Sequence, residues 1–297
     1  MRPRILLLGP AGQVGWELRR TLSTLGEVIT AGRGNAEHPL DLTDGAAIET
    51  LLEQLAPRLV VNAAAYTQVD RAEEEPEAAR RVNAEAVAVL GRAAARAGFP
   101  VVHYSTDYVF PGEGDRPLPE SAPTRPLGVY GRTKLEGERA LLTSGADCLV
   151  FRLAWVYAAR GRNFLLTMRR LMAERDEIGV VADQFGSPTW ARHVAEATAQ
   201  VLVQCRDPAG FRFGDRGGLY HMAAAGWASW HEFACAIAEG LGRRCEVRPI
   251  DTADYPTPAA RPAWSVLDCS RLWRVFGVAL PHWREGLRLC LEALDEG

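Results

Sequence analysis

Arg4-Ile5-Leu6-Leu7-Leu8-Gly9-Pro10-Ala11-Gly12-Gln13-Val14-Gly15-Trp16-Glu17-Leu18 decides the reading of the fold. Four apolar residues in a row, with no polar alternation, read as a strand buried on both faces. The run stops at three glycines spaced three apart, and a helical pattern begins at Gln13. A dinucleotide pyrophosphate needs a tight turn, a backbone free of Cβ at closest approach, and a helix packed closely on its strand. Gly9, Gly12 and Gly15 can supply these in that order, with Gln13 and Val14 in the same cradle. The spacing is G-x-x-G-x-x-G, a variant of the G-x-G-x-x-G fingerprint. A glycine turn in any α/β protein is the plainer alternative, and the strand before and helix after favour the nucleotide.

Outward from this stretch, apolar runs recur at 27–31, 59–62, 101–105 and 148–152, with helical patterns over 13–25, 43–56, 70–97 and 127–143 between them. That alternation predicts an α/β fold, a Rossmann-type doubly wound parallel sheet. Five prolines from Pro111 to Pro126 mark a long surface loop. Beyond Arg152 the rhythm loosens: helices around 163–175 and 191–204, a short run at 179–181 and a strand at 219–223. A helix over 227–241, a strand near 246–250, a Pro-rich stretch and two terminal helices complete the chain. We read 1–155 as the dinucleotide-binding domain, with segments within about 176–223 returning to its sheet. Residues 224–297, with part of 156–175, form a smaller C-terminal substrate-binding lobe.

At the end of the second strand, where Asp or Glu would bind a ribose 2′-hydroxyl, the chain reads Ala31-Gly32-Arg33. A guanidinium pairs with a 2′-phosphate, so Arg33 points to NADPH, with NADH the alternative.

Composition bounds the remaining classes. The 297 residues carry 34 basic and 37 acidic side chains, a formal net charge of −3, and 47% hydrophobic residues. No basic footprint for nucleic acid is present. No stretch approaches the roughly 20 apolar residues that cross a bilayer. Met1-Arg2-Pro3-Arg4 begins like a signal peptide, but the apolar run ends after four residues, so a cytoplasmic protein without membrane partners is expected. Six scattered cysteines with no C-x-x-C pair read as reduced, and six histidines without H-x-x-x-H or H-E-x-x-H spacing give no metal site. Of the 34 basic residues, 33 are Arg and one is Lys, Lys134.

That lysine ends Tyr130-Gly131-Arg132-Thr133-Lys134, at the head of the fourth long helical pattern. Spacing i, i+4 puts phenol and ammonium on one helix face. A tyrosine titrates near pH 10, and a neighbouring positive charge favours its phenolate, so the pair suits proton transfer near neutrality. Y-x-x-x-K alone is a weak signal. With seven tyrosines in the chain, the only lysine falls four after one of them by chance about once in forty. The fourth strand ends in His103-Tyr104-Ser105-Thr106-Asp107-Tyr108, and the carboxyl ends of parallel strands are where such sheets bind ligands. A hydroxyl from Thr106, with Ser105 competing, could meet a substrate carbonyl beside Tyr130.

With the glycine turn, the strand-end Thr and Y-x-x-x-K together, the chain resembles the extended short-chain dehydrogenase/reductases, and within them the dTDP-4-dehydrorhamnose reductase family. The closer likeness rests on Gly12-Gln13-Val14-Gly15-Trp16-Glu17-Leu18, Asn62-Ala63-Ala64-Ala65-Tyr66-Thr67, Val69-Asp70-Arg71-Ala72-Glu73 and Ser105-Thr106-Asp107-Tyr108-Val109-Phe110. Asp183-Gln184-Phe185-Gly186-Ser187-Pro188-Thr189, Arg261-Pro262 and Ser265-Val266-Leu267-Asp268 extend it over most of the chain. The resemblance implies reduction of the 4-keto group of a dTDP-linked deoxyhexulose, giving dTDP-L-rhamnose. In that reaction Tyr130 would donate the proton, Lys134 would hold the nicotinamide ribose and lower the phenol's pKa, and Thr106 would orient the pair. By the same carry-over Asp41 and Leu42 lie along the adenosine, Ala63, Ala64, Ala65, Tyr66, Thr67 and Tyr104 along the cofactor, and Thr106, Asp107 and Trp155 against the sugar nucleotide.

The resemblance also implies Mg²⁺ at a homodimer contact, through acids at the Glu17 position and shortly after Pro188-Thr189. Arg192 stands at the second position and repels a divalent cation, so no metal is expected there. Two other functions fit the same motifs: a sugar-nucleotide epimerase or dehydratase that recycles a tightly held NAD, and a non-catalytic regulatory subunit that keeps the fold and binds the nucleotide only as a ligand. Arg261, a fork-shaped donor, is a candidate for a diphosphate.

Overall fold

The computed structural model describes residues 2–208 and 210–295. The longer strands, with one short edge pair, are β1 (Arg4–Leu8), β2 (Glu27–Gly32), β3 (His38–Pro39), β4 (Leu59–Asn62), β5 (Val101–Thr106), β6 (Cys148–Leu153), β7 (Glu177–Val181), β8 (Gly218–His221) and β9 (Glu246–Ile250). The longer helices are α1 (Gln13–Leu22), α2 (Gly45–Leu55), α3 (Ala86–Ala97), α4 (Val129–Leu142), α5 (Phe164–Glu174), α6 (Ala191–Gln204), α7 (Trp230–Gly240), α8 (Ser270–Phe276) and α9 (Trp283–Asp295).

Seven strands form one parallel sheet in the order β8-β6-β5-β4-β1-β2-β3. Chain direction across the sheet reverses between β1 and β4, and a crevice opens there at the carboxyl ends. The apolar runs serve both faces, because side chains alternate along a strand. Ile5, Leu7, Leu59, Val61, Val102, Leu149 and Phe151 pack with α1 and α6 on one side. Leu6, Leu8, Val60, Val101 and Val150 pack with α2 and α3 on the other. A third core of Leu165, Met168, Ile178, Val180, Phe233, Ile237, Trp283 and Leu287 fills the lobe. The Rossmann-type sheet expected from the apolar runs is therefore present.

Three details differ from the sequence reading. The pattern over 70–97 is broken into Val69–Glu74, Pro76–Arg80, a π-helical turn at Arg81–Glu85, and α3. Pro76 has no N–H to continue the first helix, and the π turn carries Asn83 inward. The Asn83 side chain accepts the Tyr66 N–H at 2.8 Å, and its amide donates to the Tyr66 carbonyl at 3.1 Å and the Thr133 hydroxyl at 3.2 Å. Next, β7 does not return to the central sheet; it pairs in parallel with β9 inside the lobe, and of 176–223 the strand that joins the sheet is β8. Last, Leu272, Phe276, Val278 and Leu280 pack with the α1/α6 face of the sheet, not with the lobe core. All six cysteines are free thiols.

Behind the crevice, Glu138 of α4 and Arg152 of β6 form a bidentate pair, Nε to Oε2 at 2.9 Å and Nη2 to Oε1 at 2.5 Å, both side chains almost wholly buried. Removing one partner strands a buried charge, so Glu138→Ala should cost about 3–5 kcal/mol, read as a loss in urea midpoint. Replacing both by Leu and Met should recover most of that loss; a double variant as unstable as the single would show that the pair is worth more than its desolvation.

Candidate active site

The crevice is a cavity of about 680 Å³ that runs from the glycine turn to the start of α4 and on to the lobe. At its first end Gly9 adopts φ +75°, and a Cβ there would lie 2.7 Å from Ala64 backbone atoms. The Gly12 carbonyl accepts the Trp16 N–H at 2.9 Å, and the first turn of α1 holds no acid. Its N–H groups are thus free to meet an anion. Gly15 does not line the cavity; a Cβ there would sit 2.0 Å from the Gly9 carbonyl oxygen, so its task is to let α1 dock on the turn. Gln13 ties the turn to the lobe: its amide donates to Val156 O at 3.3 Å and its oxygen accepts from Asn163 at 2.9 Å.

Arg33, Asp41 and Leu42 line the far wall, and Ala63, Ala64, Ala65 and Thr67 the floor after β4. Hydrogen bonds from Thr43 hold the Asp41 carboxyl below its usual range, with Arg33 adding to the effect. Tyr66, beside this floor, has its backbone held by Asn83, and its hydroxyl donates to Glu75 at 2.8 Å.

The middle of the cavity brings together Tyr104, Thr106, Asp107, Tyr130 and Lys134. Helix α4 reaches this position because Gly131 lets its backbone meet the Tyr108 carbonyl, where a Cβ would come within 2.2 Å, and because the Val129 N–H donates to Glu73 at 2.7 Å. Both hydroxyls left open by the sequence, Ser105 and Thr106, line the cavity with Tyr130, and the buried Ser105 Oγ has no partner. Thr106 also donates to Asp107 at 3.0 Å and accepts the Tyr108 N–H at 3.2 Å. Burial pushes the Tyr130 phenol up to about 12, with Thr106 acting in the opposite direction, so the net shift is upward where the resemblance implied a lowering by Lys134. Lys134 is 2% exposed, donates to the Tyr104 carbonyl at 2.6 Å, and is lowered by burial to about 8. Burial raises Asp107 to about 6 despite hydrogen bonds from Ser265, at 2.7 Å, and Thr106.

At the lobe end Trp155 lies at φ +44° with its ring stacked on Trp230, centroids 3.5 Å apart. Trp230, Tyr108 and Arg162 also line the cavity, and Arg162 carried no signal in the sequence. Tyr108 packs edge-on against Tyr130 at 5.7 Å. Arg261 does not serve a diphosphate in this structure, since its guanidinium is held by Asp70 at 2.7 and 2.9 Å and by Ala259 O. Outside the cavity, Arg192 donates to Glu17 at 3.2 Å and Arg20 stands 3.7 Å from the same oxygen. One carboxylate faced by two guanidinium groups does not fit the Mg²⁺ that the resemblance implied.

Comparison with known proteins gives a consistent answer. The family model described as RmlD substrate binding domain matches residues 2–296. A dTDP-4-dehydrorhamnose reductase of Burkholderia thailandensis is 48% identical, over 98% of this chain and 99% of the relative. Among solved structures, a dTDP-4-dehydrorhamnose reductase from Clostridium acetobutylicum superposes with TM-score 0.90 at 34% identity, covering 98% of this chain and 99% of that one. Another from Bacillus anthracis, in complex with NADP, gives TM-score 0.89 at 30% identity over 99% of this chain and all of that one.

Proposed function

The chain belongs to the dTDP-4-dehydrorhamnose reductase family, and from that premise we propose how its own side chains carry the reaction. It is an NAD(P)H-dependent oxidoreductase that reduces the 4-keto group of dTDP-4-dehydro-L-rhamnose to dTDP-L-rhamnose. The observation that supports the assignment of roles is that Thr106, Tyr130 and Lys134 meet in the cavity that begins at the glycine turn.

The residues present fit the dinucleotide. Gly9 adopts φ +75° at the turn, where a Cβ would strike the Ala64 backbone, α1 offers an N-terminus without acids, and Arg33 follows the end of β2. Bound NADPH supplies the hydride. Gly9, Gly12, Gln13 and Val14 would hold its pyrophosphate, and Ala63, Ala64, Ala65 and Thr67 would lie under it. Asp41 and Leu42 would flank the adenosine. Lys134, fixed through one of its N–H bonds by the Tyr104 carbonyl, keeps its remaining donors for the nicotinamide ribose.

Tyr130 transfers its phenolic proton to the substrate's carbonyl oxygen. A phenol held well above pH 7 is fully protonated, as a donor must be, and its own weakness as an acid is offset at the moment of transfer by the Lys134 charge. Thr106 accepts or donates beside that oxygen and keeps the phenol aimed at it. Asp107 and Trp155 would contact the sugar nucleotide. A homodimer and a cytoplasmic location are proposed with this function, and the Glu17–Arg192 pair means that no metal bridges such a dimer at Glu17. No helix among the described residues is long and apolar enough to cross a membrane.

The test is oxidation of NADPH, followed at the nicotinamide absorbance, with dTDP-6-deoxy-L-lyxo-4-hexulose generated in situ and UDP-linked keto-sugars as controls. Rapid oxidation with the dTDP substrate is expected. Silence with every donor, in a protein that still binds NADPH, would move the chain to a regulatory role.

Arg33 sets the cofactor preference in this account. A guanidinium–phosphate hydrogen bond is worth about 1.5–3 kcal/mol, so Arg33→Ala should raise KM for NADPH by roughly 10- to 100-fold. KM for NADH should stay within a factor of about two, since the 2′-hydroxyl does not engage that charge. Equal losses with both cofactors would show that Arg33 does not read the 2′-phosphate.

A further inference from the structure

Behind Tyr130 lies a buried polar row of which the reaction above uses the last member alone: Asn62, His103 and Lys134. Asn62 of β4 and His103 of β5 are direct partners in the parallel register, and they are 1% and 0% exposed. The Asn62 side chain is oriented by its other contact, since Oδ1 accepts the Ala64 N–H at 3.1 Å. That leaves Nδ2 facing His103 Nδ1 at 3.2 Å. An amide nitrogen only donates, so in this contact Nδ1 presents a lone pair and the proton of the neutral ring sits on Nε2, although the Asn62 main chain is a competing acceptor for an Nδ1 proton. Burial first, and the Lys134 charge second, keep this ring neutral well below its usual range.

His103 Nε2 faces Lys134 Nζ at 3.5 Å, and Nζ also donates to the Tyr104 carbonyl at 2.6 Å. An Nε2–H and an ammonium are both donors and repel each other across that gap. An Nε2–H and a neutral amine form a hydrogen bond. We propose that His103, oriented by Asn62, is a positioning residue that favours the neutral amine of Lys134 over its ammonium.

Other charged groups around α4 have partners of their own. Glu138, one turn along, favours the ammonium but is engaged by Arg152 of β6. Asp107 is held by Thr106 and Ser265, Glu73 by the Val129 N–H, and Glu136 by Arg80. Tyr130, one turn back, is a neutral phenol. The direction of the Lys134 shift, downward through burial, agrees with the His103 contact.

The single lysine of this chain makes the test direct. Protein grown with 13Cε-labelled lysine gives one side-chain resonance, whose shift follows the Lys134 proton from pH 6 to 11 with no cofactor present. The wild type should titrate near 8. His103→Gln offers an amide oxygen to the ammonium, and Asn62→Asp accepts a proton from Nδ1 and turns Nε2 into an acceptor. Each should move the midpoint upward by about one unit or more. Asn62→Asp keeps the Ala64 contact and serves if the glutamine variant fails to fold.

A midpoint unchanged or lowered in the folded variants would overturn the proposal. That result would put the ring proton on Nδ1, toward the Asn62 main chain, with Nε2 accepting from an ammonium. The inference rests on the proposed function only where it reaches turnover. There the alkaline limb of kcat/KM should rise in step with the resonance, whereas a structural defect lowers activity at every pH without moving the limb. A resonance that moves under a limb that does not would leave the His103 assignment standing and remove Lys134 from the reaction.

Discussion

Tyr130→Phe should lower kcat by about 10²- to 10⁴-fold, the usual worth of a positioned general acid, with NADPH affinity unchanged. The variant loses one oxygen. The ring keeps its edge-on contact with Tyr108 and its place beside Ala72, Ala79 and Val129, so packing is retained. Lys134 keeps the Tyr104 carbonyl and His103 as neighbours, so the ribose side of the cavity is undisturbed. Stopped-flow reduction and a fluorescence titration of NADPH separate the two effects. A variant that turns over within a few-fold of wild type would take the proton-donor role from Tyr130 and give it to water or to Asp107. A variant that no longer binds NADPH would show that the hydroxyl holds the cofactor instead.

Gly15→Ala should be nearly as damaging, through geometry alone. The new Cβ would lie 2.0 Å from the Gly9 carbonyl oxygen, 2.9 Å from the Gly9 carbonyl carbon and 3.2 Å from Pro10 Cα. Every one of those atoms is backbone, so no side chain can swing aside, and α1 must back away from the turn. A displacement of about 1 Å in a positioning element costs on the order of 100-fold, and NADPH affinity should weaken by at least about that factor. Overpacking at this point should also cost about 1–3 kcal/mol of stability. Gly12→Ala is the internal control, because its Cβ would meet the Gly9 oxygen at 3.5 Å, an ordinary contact, and should leave stability unchanged. Equal stability for the two variants would mean that the turn is softer than its contacts imply.

These two variants probe what was plainest in the chain. The strand at 4–8 and the glycine turn are legible because a fully buried strand must be continuously apolar and a close backbone approach must lack a Cβ. Neither constraint depends on distant residues. Gly15 was legible as the glycine that lets the helix pack closely, and the Gly9 carbonyl oxygen is what its Cβ would strike. The break at Pro76 was visible as a residue, yet the π turn that follows depends on Asn83 finding the Tyr66 backbone and the Thr133 hydroxyl, contacts separated by up to 50 residues. The Tyr66 contact with Glu75 was not legible for the same reason, since nothing local says where that hydroxyl turns. The strand β7 has the composition of a central strand, and only its pairing with β9 assigns it to the lobe. His103 was invisible as a site residue because a lone histidine reads as core until something is found facing it. Thr106 and Ser105 are successive residues of one strand, and both line the cavity that holds the Tyr130 phenol.

The most direct test of the central claim follows the hydride itself. Wild-type protein is supplied with NADPH carrying deuterium at the reactive position of the nicotinamide ring and with the dTDP-4-keto substrate, and the product sugar is analysed by NMR and mass spectrometry. The account predicts one deuterium, at C4 of dTDP-L-rhamnose, with one NADPH consumed for each product molecule. An altered sugar that contains no deuterium and leaves NADPH unspent would contradict it, and would assign the chain to chemistry that returns its hydride to a retained cofactor.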